Sequence, residues 1–87
     1  MKIDNEVLAS IFYDLSDAQE DLTEIIELLD FKKESYDEDE FRVKMAHLYW
    51  HLNSAWNKRK ITAKDLENAD GKQLNLWGEF PKDIKPL

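Results

Sequence analysis

Two histidines four residues apart, His47 and His51 in the stretch KMAHLYWHLNSAWNKR, are the side chains here best suited to hold a metal ion. On a helix that spacing puts both imidazoles on one face, within reach of a single divalent cation. Two ligands do not make a site. Zinc takes three or four protein ligands, and the intervening LYW lacks the glutamate of an HExxH metalloprotease. Di-iron bundles use Glu-x-x-His pairs, whereas Lys44 and Leu48 stand three positions before the two histidines. The sequence by itself therefore implies no cofactor and no metal site, only a pair, His47 and His51. Completing it takes carboxylates from the first helix or from another chain.

Nucleophilic chemistry has even less to work with. His51 and Ser54 are three apart, but nothing nearby supplies an orienting third group or an oxyanion hole. There is no cysteine, and two glycines leave no glycine-rich phosphate loop. The chain is expected not to be an enzyme.

Binding chemistry is better represented. Asp14, Asp17, Glu20, Asp21, Glu24 and Glu27 recur at three- and four-residue steps, with no Lys or Arg among them. Such neighbours repel by about 0.2 to 0.5 kcal/mol per pair on an isolated helix. This acidic face is either a solvated surface partly paired with bases of the second helix, or a docking surface for a basic partner. In its sharpest form it mimics a nucleic-acid backbone and fills a basic groove. A second candidate face centres on Trp50, with Val43, Ala46, His47 and Asn57 beside it, opposite the apolar seam of the same helix. An aromatic anchor with a polar rim is the composition of an interface. Three occupants fit it: the chain's own C-terminal segment, a second copy, or a foreign protein.

These residues must be positioned by helices. Val7, Ile11, Leu15, Ala18, Leu22, Ile25, Ile26 and Leu29 fall on one stripe at about 100° per residue, which predicts one helix over about 4–30 with Asp4 as its N-cap. Ser16 with Gln19 resembles an internal capping box, but the stripe keeps its phase across it. FKKESY is the connector. Asp37, with Glu40 three residues on and Tyr36 facing Phe41, starts a second helix over about 37–59. Its predicted core face is Phe41, Met45, Leu48, Tyr49, Leu52, Ala55 and Trp56. Thr62 with Asp65 starts a short third helix over about 62–70, which Gly71 ends. Residues 72–87, with two prolines, are expected to form an irregular strap.

The result is an all-α fold: an antiparallel helical hairpin, a short third helix and a C-terminal strap, forming one domain over 1–87. A chain of 87 residues buries a core only marginally, so the hairpin is expected either to be covered by its own C-terminal part or to pair into a dimeric four-helix bundle. The net charge of −7 argues against direct binding to nucleic acid or anionic membranes and for a basic protein partner. The distribution is uneven: residues 1–30 hold nine acids against Lys2, whereas 31–60 hold seven bases against five acids, so the two helices should attract each other. The acidic start carries no signal-like apolar run, and a cytoplasmic location is expected. The leading functional expectation is a small acidic protein-interaction module, an inhibitor, immunity-type or adaptor protein acting by stoichiometric binding. The alternatives are the nucleic-acid mimic and a metal- or small-ligand-binding bundle using His47 and His51.

Overall fold

A computed structural model of the chain describes residues 2–31, 35 and 37–87. Four helices follow in order: α1 (Asn5–Phe31), α2 (Glu38–Asn57), α3 (Ala63–Glu67) and α4 (Gly71–Trp77). No strand occurs among the described residues. Neither long helix contains Gly or Pro, so nothing interrupts the backbone ladder, and α1 runs unbroken through Ser16. The 27 residues of α1 span about 40 Å. None of the helices is long and apolar enough to cross a membrane.

The caps explain where the elements begin. Asp37 accepts from the amides of Asp39 and Glu40 at the start of α2. Thr62 and Asp65 form a reciprocal capping box on α3. The bonds from the Thr62 amide and hydroxyl hold the Asp65 carboxyl below its ordinary value of 3.8. Asp4 acts across the fold: its Oδ2 accepts from the amide of Ala63 at 2.9 Å and so ties the start of α1 to the first turn of α3. The expected pairing of Tyr36 with Phe41 lies outside the described residues, as do Lys32 and Lys33 of the connector.

The strap differs from expectation in its first part. Gly71 opens a helix rather than closing one, because Asp70 accepts from the amide of Gln73 and caps α4. Only the segment after Trp77 is irregular.

The two long helices pack antiparallel, with Asp14 opposite Lys58, Asp21 opposite His47 and Glu24 opposite Lys44. The seam is narrow. Ala18, Ile25 and Leu48 are buried there with Phe41 and Met45 packed against them, and Val7 and Ala55 are buried further along. The remainder of the predicted stripe on α1 is not in it: Leu15, Leu22, Ile26 and Leu29 are exposed, as are Tyr49 and Leu52 of α2. The physical reason is rotation of the contact. α2 meets α1 along Asp14, Ala18, Asp21 and Ile25, one edge of the stripe and the adjoining acids, instead of along its centre.

Candidate functional site

One side of the seam is a polar clip. His51 Nδ1 donates to Asp14 Oδ1 at 3.0 Å, and Lys58 Nζ donates to Asp14 Oδ2 and to Ser10 Oγ, each at 2.9 Å. The indole of Trp77 lies beneath the same ammonium, 5.9 Å from Nζ to its centroid. One turn along, His47 Nδ1 approaches Asp21 Oδ2 at 2.7 Å, and Lys44 faces Glu24 at 3.8 Å. The attraction expected from the charge distribution is thus realised pair by pair. Its cost falls on the acidic face: Asp14, Asp21 and Glu24 are engaged with α2, the exposed Asp17 stands 4.0 Å from His51 Nε2, and Glu20 and Glu27 stay on the exposed side of α1. The six carboxylates do not form one free row. Ser54, three residues from His51 on α2, is 0 % exposed and out of reach of any substrate.

The outer side of α2 carries the C-terminal segment. Asn53 donates to the carbonyl of Gly78 at 3.0 Å, and Asn57 donates to those of Trp77 and Glu79 at 2.7 and 2.9 Å. Two side-chain amides thereby take up three backbone carbonyls just past α4. Trp50 is half-buried against Gly78, where a Cβ would fall inside the indole. Asp83 locks the end of the segment by accepting from Trp56 Nε1 at 2.9 Å and from Arg59 Nη2 at 2.6 Å, and the guanidinium stacks 3.7 Å over the Trp56 ring. The two donors, the indole first, hold the Asp83 carboxyl below its ordinary value of 3.8. Of the residues grouped around Trp50, Asn57 and Trp50 hold the chain's own segment, while Val43, Ala46 and His47 stay exposed.

The third surface is apolar and bare. At about 100° per residue, Leu8, Leu15, Leu22, Ile26 and Leu29 of α1 and Tyr49 and Leu52 of α2 project to one side of the hairpin, opposite the polar clip. Leu22 is 47 % and Ile26 59 % exposed. Phe80 packs on Tyr49 with ring centroids 5.2 Å apart and extends the patch, bordering a groove of about 550 Å³ lined by Phe41, Met45, Trp50 and Gly78. The shape of the chain agrees with an uncovered face. Its accessible surface is 6916 Å² for 10.3 kDa, where a compact monomer of that mass exposes about 5,400 Å². Its radius of gyration is 15.0 Å, against about 12 Å for a compact domain of this length.

Sequence reasoning did not single out Lys58, Asn53, Gly78 or Asp83. Their signal was present only as the polar residues of HLNSAWNKR and the WGEFPKDI that follows α4, with nothing in either to show that they meet. Comparison of the chain with protein-family models, curated proteins and solved structures returns no match.

Proposed function

We propose that this chain is a small acidic helical protein-interaction module acting by stoichiometric binding, and that its bare face is first occupied by a second copy of itself. The row of exposed apolar side chains Leu8, Leu15, Leu22, Ile26 and Leu29 on α1 beside Tyr49 and Leu52 on α2 carries this reading. α1 contributes to the face from Leu8 to Leu29 and α2 around Tyr49 and Leu52, and a second hairpin is its natural complement. Closing two hairpins face to face gives a four-helix bundle with a two-fold, self-complementary contact. The exposed acids Glu20 and Glu27 of α1 stay outside that contact, where a basic protein partner could reach them.

The nucleic-acid mimic gains no comparable support, because Asp14, Asp21 and Glu24 are engaged within the hairpin.

Light scattering on a sizing column tests the proposal, with wild type beside the double variant Leu22→Asp, Ile26→Asp. Both substituted positions are exposed, so the variant should keep its helical circular dichroism. The expected outcome is twice the chain mass for wild type and the single chain mass for the variant. Equal masses for the two proteins would assign the face to something other than a second copy.

A further inference from the structure

We infer that Asp21, His47 and His51 form a binding site for one divalent transition-metal ion of the zinc or cobalt class, clipping α1 to α2. This goes beyond the dimer reading and does not depend on it, since the site lies on the opposite side of the hairpin from the apolar face.

The fold supplies what the histidine pair lacked. Asp21 comes from α1, and one ligand atom from each of the three residues lies within 4.8 Å of the others. Around a tetrahedral ion with bonds of about 2.0 to 2.1 Å, ligand atoms sit roughly 3.3 Å apart. The set is therefore uneven, since Asp21 Oδ2 and His47 Nδ1 stand closer than this at 2.7 Å while the separations reach up to 4.8 Å, and a turn of the exposed His47 ring is what would even it.

A second observation points into the same space. Asp21 Oδ2 is buried without a hydrogen-bond partner, although His47 Nδ1 stands 2.7 Å away. The approach is close but lies off the hydrogen-bond axis. An unsatisfied buried carboxylate oxygen is costly, about 1 to 3 kcal/mol or more for a charged group. A cation bound to both atoms, with the His47 ring turned to the wider spacing, would satisfy both.

The third observation concerns His51. Its Nδ1 is held on Asp14, which is itself held by Lys58, and this leaves Nε2 as the free ligand atom. A carboxylate behind a ligating imidazole fixes ring orientation and raises ligand basicity. The His47 and His51 rings stand edge to face with centroids 4.7 Å apart. Asp17 Oδ2 is 4.0 Å from His51 Nε2, close enough to bind through a water or as a fourth ligand. Two imidazoles with one carboxylate are the donors of zinc, cobalt or iron(II), whereas calcium and magnesium prefer oxygen alone.

Cobalt(II) titrated into the full-length protein, followed by its visible d–d absorption and by calorimetry with zinc chloride, is the test. One ion per wild-type chain is expected. His47→Ala and Asp21→Asn should each weaken binding by about 100-fold or more, exceeding the 10- to 100-fold loss typical of an outer-shell partner. Both should retain the wild-type circular dichroism and oligomeric mass. No cobalt band and no zinc heat in wild type would overturn the proposal. So would undiminished binding in Asp21→Asn, which would leave a bare histidine pair.

Discussion

Lys58 Nζ sits 2.9 Å from Asp14 Oδ2 with only 7 % of either side chain exposed, tying the end of α2 to the middle of α1. A buried pair of this kind is not a large net stabiliser, because both ions have left water. Its consequence is register. With Ser10 and His51 as further partners of the same two groups, sliding α1 against α2 by one turn would leave a buried charge alone.

Removing one member should therefore cost far more than removing both. Lys58→Met is expected to destabilise the fold by about 3 to 5 kcal/mol, since it leaves Asp14 buried without its cation. Against a typical total of about 5 to 15 kcal/mol, that is a large fraction of the stability. The double variant Asp14→Leu, Lys58→Met should recover most of the loss. Urea unfolding of both single variants and the double variant, followed by circular dichroism, reads the difference, and a double-variant loss equal to the sum of the two single losses would show that the pair is not coupled.

Gly78 is where the C-terminal segment crosses α2, and its missing side chain is what lets Trp50 lie there. Gly78→Ala should force the indole or the segment aside, at the roughly 1 to 3 kcal/mol that overpacking costs. Tryptophan emission should shift to longer wavelength as Trp50 becomes wetter. Adding Trp50→Leu should relieve the clash and restore much of the melting temperature.

The helices were legible in the sequence because their signals are local: Asp37, Thr62 and Asp65 cap where spacing placed them. The contact between helices was not, because a wheel gives the width of an apolar stripe without saying which edge meets the neighbour. Val7, Ala18 and Ile25 went inward and Leu22 and Ile26 did not, and what decided it was long-range pairing of Asp14 with Lys58 and of Asp21 with His47. The same holds for the start at Gly71, where glycine reads as a stop until Asp70 is seen to cap the helix after it. His47 and His51 were visible as a pair, but their carboxylate lay on another helix, about 30 positions away by sequence.

The Asp83 latch should be pH-dependent in a definite direction. Bonds from Trp56 and Arg59 lower its folded pKa below the ordinary 3.8. A depressed acid contributes stability that is fully present above its unfolded value and lost as pH falls through the lower folded value. Wild type should thus be more stable than Asp83→Asn at neutral pH, with the gap closing only below pH 3.8. Thermal melts of both proteins across that range read it. A gap that closed at higher pH would mean that another group, not Asp83, holds the segment.

Self-association through Leu22 and Ile26 would couple folding to concentration. For a dimer that unfolds to two chains, each tenfold rise in protein adds about 1.4 kcal/mol per dimer by mass action. With the usual entropy of unfolding per residue, this becomes about 3 to 5 °C in melting temperature for two chains of this size. Leu22→Asp, Ile26→Asp should abolish the dependence while keeping the polar clip intact, because both side chains are exposed and neither supplies a group to the bonds of Asp14, Lys58, His51 or Asp21. A wild-type melting temperature that stays constant over a hundredfold range in concentration would mean that the hairpin folds without a second copy, and its bare face would then be left for a foreign protein.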